Sequence, residues 1–543
     1  MRTLVAVLAA AWVLTGLGGR AAAGPGAFDL EAAASRLAAP ATQKDVLGEL
    51  AGSSDPAVER LLRALKDGAL YAWKGRTVLL GDDGGLTDVA GRPVLDSQGQ
   101  PAQLESGAEA VALDEAHFGL VRRTLERFEV FGRDPLKRQS AAFRLGTSGD
   151  PAAIPVLARA LEGETNGDVR VALEDALAKL RLRSSDAADR LGAVKRLGWR
   201  ASEAAVPQLQ ALLAGETDPA VRAAARTALQ DIDRFVVQRN AIGYLFNGVS
   251  LGAVLLLMSL GLAVTFGLMG IINMAHGEML MLGSYAAYVV QEIFAAWFPG
   301  YVDSYFVVAL PLAFLVAGVV GLALEWGVIR FLYGRPLETL IVTWGVGMIL
   351  QQGARLYFGD QTSVNSPTWL RGGVEVLTGL IFPWSRIFIV VLALAALGAL
   401  WLLLYRSYAG LNVRAVMQNR AMAACLGVST RRVDAVTFSL GTALAGVAGC
   451  ALALIGTVDP EVGKTYIVDS FMVVVLGGVG KLVGTVVAAV CIGVSNKLIE
   501  PAIGGTAAAV YAKVAVLVIV IWFLQWRPTG LFAQRGRAAT ETA

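Results

Sequence analysis

Three polar side chains fall within six positions of one another in GIINMAHGEMLMLGSY, residues 270 to 285: Asn273, His276 and Glu278. An imidazole and a carboxylate at H-x-E spacing serve zinc deaminases as metal ligand and general acid–base, but that site also needs a P-C-x-x-C ligand pair. The three cysteines, Cys425, Cys450 and Cys491, fit neither that spacing nor a disulfide framework and read as packing residues. His117 is the only other histidine, so a His-rich metal centre is excluded by count. A second stretch, GGVGKLVG (Gly477 to Gly484), has the look of a phosphate cradle. The GxxxxGK[ST] loop would need Gly at Val475 and Ser or Thr at Leu482. Gly480 and Gly484 instead have the GxxxG spacing that lets helices approach closely in lipid. No enzyme, metal or cofactor chemistry is expected from these motifs.

The elements that hold the cluster are apolar. Of 543 residues, 55% are hydrophobic and 17% charged, too apolar for a soluble globule of this length. Charged residues are frequent from 27 to 240 and sparse afterwards, which places a boundary near Arg239 and Asn240. A net charge of +3 without dense basic runs argues against nucleic acid as a partner.

Beyond that boundary nine apolar segments are read, near 244–269, 278–298, 305–331, 337–358, 384–405, 435–456, 466–480, 483–498 and 507–526. Most have the ~20 residues a helix needs to cross hydrocarbon. The seventh and eighth are short, and read as half-helices or a re-entrant pair.

The N-terminus reads as a signal peptide: Arg2, an apolar stretch from Leu4 to Leu17, and small residues Ala21 to Ala23 before a cleavage point. Export of the segment beyond the cleavage point puts the first span's start outside. Alternation then places eleven Lys and Arg residues inside, against six outside, in line with the positive-inside rule. On that topology Asn273, His276 and Glu278 lie at or near the inner water interface. Asn273 or His276 caps the first span, and Glu278 meets the positive end of the second.

Residues 24–240 carry an internal repeat. AAIPVLARALEGETNGDVRVALEDAL from Ala152 aligns without gaps on AAVPQLQALLAGETDPAVRAAARTAL from Ala204, an offset of 52 residues. Each unit reads as three helices, the pattern of a HEAT-like array. SSDPAVERLLRAL from Ser53 is a looser echo, and the segment from Tyr71 reads as a hairpin insert. The expected chain is therefore all-α in class: signal peptide 1–23, exported helical-repeat domain 24–240, transmembrane domain 241–533 with 8–9 spans, and a tail, 534–543.

The longest internal loop, GLNVRAVMQNRAMAACLGVSTRRV (Gly410 to Val433), is too polar to span. It predicts one short helix of about 12 residues, ~18 Å long, stopped by Gly427, with the next helix starting at Ser429 or Thr430. Polar residues within spans that offer hydrogen bonds to a solute are Asn247, Thr265, Asn273, Thr343, Gln351, Gln352 and Ser439. Glu325 stands in the third span, as a partner for a neighbouring subunit or in a wet cavity.

Four motifs in order resemble LivH-type permeases of bacterial ABC importers: Gly261 to Tyr285, Gly410 to Val433, Gly456 to Val487, and RPTGLF at Arg527 to Phe532. The exported repeat domain fused before them is similar to the permease subunits of urea ABC transporters, the UrtB type. That resemblance implies a transmembrane permease subunit of an ATP-driven importer for urea, with branched-chain amino acids or short amides as the alternative cargo. It implies no ATPase site of its own, a second LivM-type permease subunit, two cytoplasmic ATP-binding subunits and a periplasmic binding protein. The implied location is the bacterial inner membrane, with the N-terminal domain periplasmic and the C-terminus cytoplasmic. Arg414 to Leu426 corresponds to the family's coupling helix, with Arg414, Ala415, Asn419, Ala423, Leu426 and Gly427 as the residues facing the ATPase. The Glu-Ala-Ala form of that loop is absent. Asn273, His276, Glu278, Thr343 and Gln351 are the candidates for the translocation path.

Overall fold

A computed structural model describes residues 30–532 apart from 40–41, 52–54, 82–83, 96–101, 103 and 105–107. The expected signal peptide, 1–23, and tail, 534–543, lie outside the described residues. The chain divides into two compact units, the first ending at Val236 and the second beginning at Val237.

In the first unit, α1 (Leu30–Leu37), α2 (Gln43–Leu50) and α3 (Pro56–Lys66) precede four short strands: β1 (Leu70–Trp73), β2 (Arg76–Leu80), β3 (Leu86–Thr87) and β4 (Glu109–Ala110). They form one antiparallel sheet in the order β3-β2-β1-β4, so the segment from Tyr71 is a small sheet and more than a hairpin. Helices α4 (Phe118–Glu129), α5 (Pro135–Ser148), α6 (Ile154–Gly163), α7 (Gly167–Arg181), α8 (Ala187–Trp199) and α9 (Val206–Gly215) come next. Helix α10 (Pro219–Met269) runs across the division, with residues up to 236 in the first unit.

Short polar side chains start these helices. Asp134, Asn166, Asp186 and Asp218 each accept a first-turn backbone N–H, with Pro135 and Pro219 opening α5 and α10. The 52-residue offset recurs in three dimensions. Arg138 grips Glu164 at 2.7 and 2.9 Å, and Arg190 grips Glu216 at the same two distances. Gly146 lies against Ala176, and Gly198 against Ala228, where no side chain would fit between the helices. Each triplet buries its own apolar cluster, around Leu145 and Leu173 in one and around Leu197 and Ala225 in the other.

The second unit contains the rest of α10, then α11 (His276–Trp297), α12 (Tyr305–Gly327), α13 (Pro336–Phe358), a hairpin of β5 (Gly373–Leu377) and β6 (Leu380–Pro383), and α14 (Trp384–Arg406). After these come α15 (Tyr408–Gln418), α16 (Arg420–Cys425), α17 (Thr430–Leu452), α18 (Val462–Gly477), α19 (Leu482–Ile503) and α20 (Ala508–Trp526). All nine predicted segments are helical, but seven among the described residues, not 8–9, are long and apolar enough to cross a membrane: α10, α11, α12, α14, α17, α19 and α20. Helix α18 has 16 residues, about 24 Å, short of the ~30 Å hydrocarbon core. Helix α19 is not short; it runs 22 residues. Helix α13 has 23 residues, and its hydropathy is lowered by a buried polar face at Thr339, Thr343 and Gln351.

The helices of this unit touch through small residues. Ser439 Oγ donates to the Gly318 carbonyl at 2.8 Å, and Gly446 on α17 lies against both Ala313 on α12 and Gly283 on α11. Of the cysteines, Cys450 is buried, while Cys425 and Cys491 are exposed and so do not act as packing residues within the chain.

Candidate functional site

The chain between α10 and α11 turns back into the unit. Gly270 takes a positive φ of 68° to end α10, and its amide bonds Phe266. Residues 271–275 then fold inward, and Asn273 Oδ1 accepts the Ala275 amide at 3.0 Å, an Asx turn that starts α11. Asn273 thus turns the chain into the second helix of this pair and does not cap the first. His276 Nε2 sits 3.1 Å from the carbonyl of Met258, eleven residues before the end of α10. That distance along a helix is roughly 16 Å. Asn273, His276 and Glu278 are all buried, at 0%, 0% and 5% exposure. The expectation of a cluster at the water interface is therefore wrong: an inward-folding connection carries the start of α11 deep into the helix packing, which alternation of spans does not foresee.

Helix α18 starts at the same depth. Gly463 packs backbone to backbone on Gly277, where a methyl added at Gly277 would sit 2.7 Å from the Gly463 carbonyl oxygen. At its other end Gly480, just beyond α18, meets Gly267 near the end of α10. Two interrupted segments thus place helix N-termini against each other inside the unit. Such ends carry partial positive charge and free N–H groups.

Helix α13 runs alongside α11 in the same direction, and their contacts advance in step. The Met274 amide donates to Thr343 Oγ1 at 3.1 Å, Glu278 packs on Gly347, and Tyr285 stacks on Phe358 with ring centroids 4.4 Å apart. The seam between them holds Asn273, Thr343, Glu278, Gln351 and Tyr285. Asn273 Nδ2, Glu278 Oε2, Gln351 Nε2 and Tyr285 Oη are buried there without a protein partner. Each such atom costs on the order of 1–3 kcal/mol, which a packed interior does not carry in groups without a use.

Four of the five predicted path residues share this seam. His276 does not: residues i and i+2 on a helix point apart, so the imidazole faces α10 while the Glu278 carboxylate faces α13. The H-x-E pair therefore converges on no common point. Tyr285 escapes a reading of the sequence, because a Tyr in an apolar helix looks like packing. Lys464 follows Gly463, which packs on the backbone of Gly277 and Glu278, and is exposed on α18, in a stretch that the alternation of spans places outside. Among the other polar candidates, Asn247 accepts from Arg386 at 2.9 Å, Thr265 bonds back to the Gly261 carbonyl, and Gln352 is exposed.

The predicted loop helix is two helices. Asn419 leaves helical geometry, at φ −157° and ψ 102°, and its Oδ1 accepts the Met422 amide at 2.9 Å. It ends α15 and caps α16, because Asn favours capping over helix interiors. Gly427 stops α16 with φ 86°, and the Val428 and Gly427 amides close on Ala423 and Ala424 in a Schellman motif. Arg414, Asn419, Leu426 and Gly427 are exposed, Ala415 is half-buried and Ala423 is buried.

Seven helices among the described residues fit to cross a bilayer, and two interrupted segments meet beside a buried polar seam, which defines a multi-pass membrane protein. Residues 244–524 match the family of the branched-chain amino acid transport system permease component. The high-affinity branched-chain amino acid transport system permease protein LivH of Salmonella typhimurium is 31% identical over 300 residues, 53% of this chain and 94% of that protein. BraD of Pseudomonas aeruginosa is 29% identical over 296 residues, covering 53% and 95%. LivM of Escherichia coli is 27% identical over 323 residues, covering 55% and 71%. No solved structure matches. The chain belongs to the branched-chain amino acid transport permease family.

Proposed function

We propose that this chain is the permease subunit of an ATP-driven ABC importer for urea, working with a second LivM-type permease, two cytoplasmic ATP-binding subunits and a periplasmic binding protein. The observation that carries the cargo is the seam itself. Amide, hydroxyl and carboxyl groups are buried there without protein partners, and the seam's own side chains include no cation. Urea offers one carbonyl acceptor, matched by the amide donors of Asn273 and Gln351, and four N–H donors, matched by Glu278 and Tyr285. The first unit adds support. Because 94% of LivH lies within a match that takes only 53% of this chain, close to half of this chain has no counterpart in it. In this reading that unit is an exported HEAT-like docking domain on the periplasmic face, preceded by a signal peptide, and the C-terminus is cytoplasmic.

The α15–α16 segment is the contact with the ATPase. Leu426 is 78% exposed and Met422 58%, apolar side chains set on a small rigid helix for a protein groove. The chain itself supplies no ATPase site.

A second reading, a branched-chain amino acid as cargo, is favoured by Lys464 at the start of α18 beside the start of α11 that carries Glu278, since a zwitterion needs one charge of each sign. Uptake of labelled urea and labelled leucine into proteoliposomes holding the complete complex, with and without ATP, separates the two. ATP-dependent entry of urea but not leucine supports the proposal, and the reverse result overturns it.

A further inference from the structure

One charged side chain of the loop that joins α14 to α17 reaches the membrane helices, where it meets a buried carboxylate and a half-buried aromatic ring. Arg420, the first residue of α16, directly follows the Asn419 break. Its guanidinium pairs with Asp434 on α17, a carboxylate that is 2% exposed. The same guanidinium lies 4.7 Å from the ring centroid of Tyr333, in the α12–α13 connection. The Tyr333 hydroxyl in turn donates to Glu325 Oε1 at 3.4 Å, and Glu325 is buried on α12. Glu325 therefore finds its partner within this chain.

Residues of α16, α17, the α12–α13 connection and α12 thus form one continuous chain of contacts. Resting on the importer reading above, we infer that Arg420, Asp434, Tyr333 and Glu325 form the linkage that passes movement of the α15–α16 segment to α12 and α17, with Arg420 as its positioning residue. The path onward is short. Helix α17 meets α11 where Gly446 lies on Gly283 and Gly449 on Leu280, one turn from Glu278 in the seam. These backbone contacts leave no side-chain cushion, so a shift of α17 is felt directly by α11. Arg suits the task because one rigid fork can bind a carboxylate and stack on an aromatic ring together, which the point charge of Lys does not reproduce. The break at Asn419 fits it too, since it frees α16 to move as a unit with Arg420 at its base.

The test uses the complete complex in proteoliposomes, reading assembly, ATP hydrolysis and labelled urea entry on the same samples. Arg420→Gln is expected to assemble and hydrolyse ATP within twofold of the parent while urea entry per ATP falls at least tenfold. Arg420→Lys should recover part of that ratio, and Tyr333→Phe should lower it by a smaller factor. An unchanged ratio in Arg420→Gln overturns the linkage, and so does loss of assembly in both Arg420 variants, which would make the residue structural. If the parent complex moves no urea with ATP, the importer reading fails instead, and a leucine readout in the same vesicles carries the linkage test.

Discussion

The Met274 amide donates to Thr343 Oγ1 at 3.1 Å, which fastens the inward-folding start of α11 to the polar face of α13. Thr343 is fully buried, so Thr343→Val keeps the shape but strands that N–H. The expected loss is about 1–3 kcal/mol of local stability. Faster amide exchange over 270–278 checks it, together with reduced transport by a complex that still assembles. Thr343→Ser, which keeps the hydroxyl, should behave like the parent.

Gly277 and Gly463 set the meeting point of α11 and α18. Gly277→Ala would drive a methyl to 2.7 Å from the Gly463 carbonyl oxygen, an overpacking that costs roughly 1–3 kcal/mol. Gly345→Ala on α13 has nothing within 4 Å of the added methyl and should be silent. Thermal unfolding in detergent distinguishes them: a lowered midpoint for the first and an unchanged one for the second.

The polar triplet shows how far the sequence is legible. The residue types and the helices that carry them can be read from hydropathy, whereas the backbone contacts at Gly277, Gly463 and Gly283 come only with the fold. Depth cannot be read from it either, because a connection that folds inward has the same composition as one that meets water. The α11–α13 seam depends on two helices separated by the whole of α12, so no local pattern joins Glu278 to Gly347. The repeat is more readable because it is local: Arg138 and Arg190 sit at equivalent positions and each reaches its glutamate 26 residues on. The loop helix departs from expectation at one residue, Asn419, whose capping preference outweighs its neighbours.

The Glu216 carboxyl accepts from Arg190 and from the backbone amides of Asp218 and Thr217, which hold its pKa at about 2 against an ordinary 4.5. The Arg138 guanidinium lowers Glu164 in the same direction. A carboxyl depressed in the folded state adds stability above its unfolded pKa and loses that contribution as the folded pKa is approached from above. The first unit should therefore hold constant protection above about pH 5 and weaken between about 4.5 and 2. Hydrogen exchange of α8 and α9 amides in the full chain tests this. Glu216→Gln should lower protection at neutral pH and remove most of the acid dependence in that helix pair while leaving α5 and α6 as they were.

Asn419 is the point where the α15–α16 segment bends, and the break rests on one side-chain bond to the Met422 amide. Asn419→Ala removes that cap, at about 1 kcal/mol, and supplies the best helix former in its place. The two short helices should then fuse toward a single rod, rotating Met422 and Leu426 away from their present direction. Electron paramagnetic resonance distances between spin labels at Tyr408 and Leu426 report the change directly, since both side chains are exposed. A longer and narrower distance distribution with weakened binding of the ATP-binding subunits is the expected result. Asn419→Asp, which keeps an acceptor for the Met422 amide, should retain both the bend and the binding.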